Sequence, residues 1–284
     1  MLKVSSQRQM VVALCCGIMA LTSCEHEIDF DFPTAEAQVV FEGEVSNERT
    51  FVRISHTRAM TDSTKNHFIG DAKVWISVDG GAEEQLYYDA SKKSYLSAMG
   101  LTAQPGHTYH MRAIVDGNQY EATSTMQPTI EVDSVAFRWV DVLKERIFFY
   151  YIKGKDPIAD ARSYTLCRLY RGNELFRWNA RSGRSSIDGI FEYDIICSSN
   201  KEIDDGKSES GQLPLADGDT IRAEILNIDR HTWEFFHSLM YGESTASNAI
   251  SNIGGGARGV FMAAYITRPD TLVFDREKLA EKKE

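Results

Sequence analysis

The segment His107-Thr108-Tyr109-His110-Met111-Arg112-Ala113-Ile114-Val115, then Asp116-Gly117-Asn118, then Gln119-Tyr120-Glu121-Ala122-Thr123-Ser124-Thr125, decides the fold class. Two runs of strand length flank a turn signal, so the segment reads as a β-hairpin. The same pattern repeats upstream. Ala72 to Val78 ends at Asp79-Gly80-Gly81, and Glu84 to Tyr88 returns from that turn as a second hairpin. Val39, Phe41 and Val45 open an earlier strand, and Phe51-Val52-Arg53-Ile54-Ser55 forms the next, with the alternation of a half-buried sheet. Lys93 to Ser97 is short enough to be an edge. About seven short strands without helical periodicity predict a β-sandwich over residues 36–127.

Gln127-Pro128-Thr129 interrupts this ladder because proline has no N–H to donate. A linker is therefore expected at residues 128–133 and a second β-rich domain at 134–270. Its strand from Arg146 to Ile152 carries Phe148-Phe149-Tyr150-Tyr151, aromatic on both faces, which predicts cover on both sides as a central strand or a domain contact. Four large rings in a row read as core rather than a ligand platform. One helix is expected at residues 229–241, with Asp229 as N-cap and Gly242 ending it. Its stripe of Trp233, Phe236 and Met240 suits packing against a sheet. A strand follows from Val260 to Thr267, and residues 271–284 read as a charged tail that frays. The expected class is mainly β, with one packed helix in the second domain. By strand pattern the first domain is similar to immunoglobulin-like and carboxypeptidase-regulatory-like sandwiches.

The N-terminus speaks to location. Lys3 and Arg8 precede an apolar run from Met10 to Leu21, which reads as a secretory signal and is too short to remain as a membrane span. Leu21-Thr22-Ser23-Cys24 resembles the lipobox of bacterial lipoproteins. That resemblance implies removal of residues 1–23, lipidation of the Cys24 thiol and acylation of its new amine. Each buried methylene contributes about 0.8 kcal/mol, so three acyl chains of palmitate type hold a protein at a membrane permanently. Residues 24–35, beginning Cys24-Glu25-His26-Glu27, form an acidic tether whose charges repel one another. The tether is similar to the signals of surface-exposed lipoproteins in Bacteroides-type bacteria; as charge alone it is a solvated linker. The expected location is the outer membrane, lipid-anchored and facing the cell surface, with the periplasmic face as the alternative.

Charge excludes some partners. The chain carries -10 at pH 7, and removing Lys3 and Arg8 with the signal takes it to -12. A cationic footprint is what nucleic acid and anionic lipid both need, and the sign is wrong for either. With 43% apolar and 11% aromatic residues the chain can bury sizeable cores. Five cysteines become three once Cys15 and Cys16 leave with the signal, and Cys24 is the lipid attachment site. Cys167 and Cys197 remain, in strand-like runs, either as an exported disulfide or as two buried thiols.

Motifs for chemistry are weak. Gly254-x-Gly256-x-x-Gly259 matches a dinucleotide string, but a helix and loop precede it and a strand follows, the reverse of what pyrophosphate binding needs. These glycines instead suit a tight path into the last strand. His107 and His110 point to opposite faces of a strand, and His231 and His237 do not share a helical face. Asp204-Asp205-Gly206 and Asp217-Gly218-Asp219 read as turns rather than calcium loops. No cofactor, metal or catalytic residue is expected. One anomaly stands out: Arg162, Arg168, Arg171, Arg177, Arg181 and Arg184 face only one acid, Glu174. Arg177, Arg181 and Arg184, with Trp178 for stacking, are candidates for an anionic ligand or acidic partner; the alternative is a solvated hairpin balanced by Asp204 and Asp205.

The order of several segments resembles a known family. The lipobox, Val39-Val40-Phe41-Glu42-Gly43-Glu44-Val45, Thr123-Ser124-Thr125-Met126-Gln127-Pro128, Asp133-Ser134-Val135, Ile228-Asp229-Arg230-His231-Thr232-Trp233-Glu234-Phe235-Phe236 and Ser251-Asn252-Ile253 are similar to Bacteroides-type lipoproteins catalogued as domain of unknown function four-two-four-nine. That resemblance implies a role beside TonB-dependent outer-membrane receptors and supplies no catalytic residues. The function expected is a non-enzymatic accessory component binding a ligand, small molecule, peptide or glycan, or a TonB-dependent receptor. A structural or adhesive surface lipoprotein, and a hydrolase with a dispersed site, are the alternatives.

Overall fold

The computed structural model describes residues 36–58, 67–156, 162–184, 189–208, 213–245 and 248–281. The signal, Cys24 and the whole of the tether lie outside the described residues. In chain order the first strands are Val39–Val45 (β1), Thr50–His56 (β2), Lys73–Val78 (β3), Glu84–Gln85 (β4), Tyr87–Asp89 (β5), Ser94–Leu96 (β6), Thr108–Val115 (β7) and Asn118–Thr125 (β8). There follow Glu131–Val142 (β9), Glu145–Lys155 (β10), Arg162–Arg171 (β11), Glu174–Arg184 (β12) and Ile190–Ser199 (β13), then helix Asn200–Asp205 (α1) and Thr220–Asn227 (β14). Helix Arg230–Thr245 (α2), Arg258–Ala263 (β15), Ile266–Thr267 (β16), Leu272–Val273 (β17) and helix Arg276–Glu281 (α3) complete the chain.

The first sandwich packs the sheet β15-β1-β2-β6-β5 against β4-β3-β7-β8. β7 shows why: Tyr109, Met111, Ala113 and Val115 are all buried, while the residues between them are not. Its turn places Asp116 and Gly117 at φ 50° and 81°, the left-handed pair that a two-residue hairpin requires. Phe41, Ile54, Tyr95, Tyr109 and Met111 fill the core, each contributing about 1.5–3 kcal/mol by leaving water. The second sandwich packs β13-β10-β9 against β12-β11-β14-β16, with β17 also on β14. β10 is the central strand expected from its rings. Phe148 and Tyr150 lie in the core between the sheets, whereas the outer ring of Tyr151 is covered by the Arg138 guanidinium.

The sandwiches change over at Pro128, between β8 and β9, but the chain later crosses back. β15, expected in the second domain, pairs in parallel with β1 of the first sheet, Val40 opposite Arg258 through Val45 opposite Ala263. Residues 37–284 accordingly form one compact unit. β15 is buried on both sides: Phe261 and Ala263 enter the first core, while Val260 and Met262 enter a third, with Leu166, Ala180, Leu226 and the Trp233, Phe236 and Met240 stripe of α2. That third core joins the two sandwiches.

Helix signals were partly misleading. α2 runs through Gly242 to Thr245, and α1 and α3 occupy segments expected to be a turn and a frayed tail. Ser199 and Glu202 form a reciprocal capping box at α1, and Gly206 at φ 63° closes it, so Asp204 and Asp205 are its last turn. Asp275 accepts from the Lys278 N–H at 3.1 Å and starts α3, which Trp139 fastens by donating to the Leu279 carbonyl at 3.0 Å. Asp229 is the N-cap expected of it, accepting from the Thr232 N–H at 2.8 Å; its second oxygen accepts from the Thr125 N–H at 3.0 Å and from the Ser124 hydroxyl. One carboxylate thus starts α2 and straps it to β8. Asp229→Ala is expected to cost more than the roughly 1 kcal/mol of an ordinary cap. Asp229→Asn, which keeps acceptor geometry at one oxygen, should recover part of it in a denaturant titration.

Candidate functional site

The inward face of the second sandwich changes character along its length. On β11 the inward residues Cys167 and Leu169 are core, but the two preceding inward positions are Thr165 and Ser163. Their cross-strand partners on β12 are Arg181 and Gly183. β10 runs from Phe148, Tyr150 and Ile152 through Gly154 to Asp156 just past its end, and β13 presents Phe191 and Tyr193. Among the described residues, Asp156, Ser163, Thr165, Arg181, Gly183 and the β13 residues Ile190 to Tyr193 line a cleft of about 240 Å³ at this end of the sandwich. Apolar side chains would close this end as they close the middle. Polar ones leave it open and wet.

Two glycines allow the shape. A side chain on Gly154 would place its Cβ 2.9 Å from the Phe191 ring and 2.3 Å from the Glu131 carbonyl, so only glycine lets that ring lie against β10. Gly189, at φ 72°, brings its carbonyl to the Asp156 N–H at 2.7 Å. Asp156 is only 5% exposed, whereas Arg181 stands at the rim. The Arg181 guanidinium lies 5.5 Å from the Tyr193 ring centre and donates to the Glu192 carbonyl at 3.4 Å. The Tyr193 hydroxyl donates to Asn179 at 2.6 Å, so this residue shows the cleft its ring, and burial pushes its phenol well above the usual range.

Of the four residues named as candidates for an anion site, the structure places three. Arg177 and Arg181 share the inward face, while Trp178 faces the third core, 5.7 Å from the Phe236 ring centre. Leu175 and Arg177 oppose the adjacent Tyr170 and Leu169, so Phe176 is the extra residue of a bulge. Arg177 lies over that ring at 4.4 Å, half-buried, and burial lowers its pKa. Arg184 pairs in register with Arg162; its side chain lies outside the described residues. Two arginines of the segment, Arg168 and Arg171, pair with distant acids rather than with Asp204 and Asp205. Arg171 binds Asp219 at 3.1 Å, Arg168 binds Glu44 and Glu224 at 3.0 and 2.9 Å, and Asp204 pairs with Arg276.

Arg168 belongs to a network that sequence reasoning missed. Glu224 on β14, 1% exposed, is surrounded by Arg49, Arg168, Arg222 and Arg268 and accepts from the Tyr170 hydroxyl. Glu44 on β1 takes Arg49 at 2.6 Å and Arg168 at 3.0 Å. Burial alone would raise the Glu224 pKa, but Arg168, Arg268, Arg49 and Arg222 outweigh it and hold the carboxyl at about 2. Beside it Asn47 accepts from the Ile266 N–H at 2.7 Å. The network is the ionic half of the joint whose apolar half is the third core. Its one signal in the sequence is a lone acid among buried strand residues, Ala223-Glu224-Ile225.

Cys167 and Cys197 are both free, within the second core, so the disulfide alternative is not the one realised. Burial pushes both thiols up, that of Cys197 to about 12. At the opposite pole from such burial, Leu143 at the β9–β10 hairpin tip is 94% exposed and sits at φ 58°, flanked by exposed Val140 and Val142. Among the described residues no group of histidine, cysteine and acidic side chains is placed to hold a metal. No described helix is long and apolar enough to cross a membrane.

The family described as a domain of unknown function (DUF4249) matches residues 25–268. The chain belongs to that family. The match covers β1 to β16 of this DUF4249 chain, and with them the joint and the cleft. No curated protein matches it.

Proposed function

We propose that this chain is a non-enzymatic lipoprotein of the outer membrane, anchored through Cys24, that serves as the accessory ligand- or partner-binding component of a TonB-dependent uptake system. The observation that carries the reading is the polar mouth of the second sandwich, where inward positions that should be core are Asp156, Ser163, Thr165 and Arg181. A concave site with a few convergent polar groups on a rigid sheet scaffold is what ligand capture requires. Among the described residues the lining carries the hydroxyls of Ser163 and Thr165, which suit hydrogen bonding to a polar ligand. The lipobox and acidic tether supply the location. The exposed Val140, Val142 and Leu143 tip is the apolar surface a receptor contact would use.

Two measurements on native envelopes test this reading. Mass spectrometry should find a mature chain that begins at a triacylated Cys24, and Cys24→Ala should leave the protein washable from membranes. Affinity purification of the anchored protein should retain a TonB-dependent receptor. An unmodified N-terminus, or a receptor-free preparation, would sink the corresponding half.

A further inference from the structure

A sheet face that meets water carries polar side chains, and one that carries apolar side chains is covered. The outward face of β7 and β8 follows the first rule with His110, Arg112, Gln119, Glu121 and Thr123. That of β11, β12 and β14 follows the second, with Leu166, Ala180 and Leu226 packed against α2. The outward face of β13-β10-β9 follows neither. Ile147 and Phe149 project from β10, with Val140 opposite Ile147 and Ile196 opposite Phe149. Val140 is 51% exposed and Ile196 is 59% exposed, so the centre of this face is apolar and open to water. The sequence marks the same side: Phe148-Phe149-Tyr150-Tyr151 predicts cover on both faces of β10, and only the face of Phe148 and Tyr150 lies in a core.

We propose that a second copy of this chain covers the open face, sheet against sheet, in a dimer whose two-fold axis runs parallel to β10. The charges at the borders select both the occupant and the axis. On the β9 side Arg138 reaches over the Tyr151 ring, 3.0 Å from its centre. On the β13 side Asp194, exposed, stands opposite Tyr151 in the same row. Among the described residues neither Arg138 nor Asp194 makes an ion pair. An axis parallel to β10 sets β9 of one copy against β13 of the other, which brings Arg138 to the second copy's Asp194 twice over. An axis across the strands would set β9 against β9 and Arg138 against its own counterpart, which like charge opposes. A bilayer fits less well, because it would strip water from Asp194 without supplying a counter-charge.

Size sets the strength. Three strands at about 4.8 Å spacing make a face about 14 Å wide, and the 11 residues of β10 run about 36 Å, so the plan area is about 500 Å². A standard interface buries about 800 Å² on each partner, so this dimer belongs with the weak, reversible ones. It does not depend on the anchor, although two chains held in one membrane would meet far more often than in free solution. Leu143 lies beyond the face at the hairpin tip and stays available to another partner.

The test is sedimentation equilibrium of the full mature chain in density-matched detergent from about 1 to about 300 µM, the range of a weak interface. A reversible monomer–dimer equilibrium is expected, weakened about tenfold or more by Ile196→Lys and by Asp194→Arg. The double exchange Arg138→Asp with Asp194→Arg should restore it, which a merely greasy contact would not do. Phe149→Cys, close to the proposed axis, should cross-link to its own counterpart on mild oxidation of native envelopes, whereas Arg112→Cys on the polar face of the first sandwich should not. A chain that stays monomeric to the highest concentration, a dimer indifferent to Ile196→Lys, no rescue by the charge exchange, or a Phe149→Cys cross-link to another protein alone overturns the proposal. The equilibrium and its concentration dependence are read on the unaltered chain, so that result stands even where a variant fails to fold. A monomer that still carries its lipid and its receptor removes this inference alone. A dimer of an unanchored chain removes only the proposed function.

Discussion

Gly259→Ala is expected to prevent the chain from reaching its folded state at ordinary temperature, or to lower its stability by more than about 3 kcal/mol. Gly259, the second residue of β15, sits at φ 106°, a conformation that side-chain-bearing residues rarely adopt, and a Cβ there would lie 1.9 Å from the Phe41 carbonyl oxygen and under 3 Å from two further backbone atoms of Phe41. No side chain can move aside, because the obstacle is the backbone of β1, paired with Gly259 in register. Strain and clash therefore act together, and relief of either separates β15 from β1. The first core would lose Phe261 and Ala263, and the third would lose Val260 and Met262. Gly256→Ala is the control: φ is 82° but no atom lies within 4 Å of the added carbon, so about 1–2 kcal/mol from backbone strain is expected. Chemical denaturation of both variants beside the parent measures the difference. Near-equal losses would mean that the β1–β15 pairing does not hold the sandwiches together.

Glu224→Gln should be the most damaging single change that adds no atom to the core, at about 3–5 kcal/mol. The carboxylate is 1% exposed and sits among four guanidiniums, so its neutral amide leaves positive charge in the joint without its counter-charge. Acid reports on the same group. Its pKa falls from 4.5 to about 2 on folding, so its contribution is fully present above about 4.5 and is lost as pH drops toward 2. The parent should weaken across that window, and Glu224→Gln should remove this part of the slope. Melting curves at stepped pH decide it; an unchanged slope in the variant would show that other carboxylates govern acid unfolding.

Both predictions concern the joint, which is the part of the molecule that pattern reading handled least well. Pro128 falls where the chain passes from β8 of the first sandwich to β9 of the second, but no local pattern shows that β15 returns to β1. The Pro128 carbonyl accepts from Asn227 at 2.9 Å, and the Ile130 carbonyl accepts from Thr267 at 3.2 Å. The chain is fastened at that passage by residues about a hundred positions away. The arginine-rich segment likewise depends on distant partners. A count along the segment shows an excess of positive charge, but Arg168 and Arg171 are neutralised by Glu44, Glu224 and Asp219. A bulge at Phe176 and the two faces of β12 then separate Arg177 and Arg181 from Trp178. Helices failed differently. α1 is only six residues long and α3 likewise, too short for a periodic apolar stripe to show.

The amino-acid sequence alone determined the mainly β class, most hairpins, the start and apolar stripe of α2, and the need for glycine before the last long strand. Each of these is a local consequence of side-chain alternation, turn conformation or capping, so a window of ten or twenty residues contains it. Only the tertiary structure decided that β15 crosses back to β1, that Glu44 and Glu224 share their arginines, and that Asp156, Ser163, Thr165 and Arg181 meet at one mouth. Those arrangements depend on which strands become neighbours. That choice is made by the joint burial of three cores, and no single stretch of chain carries it.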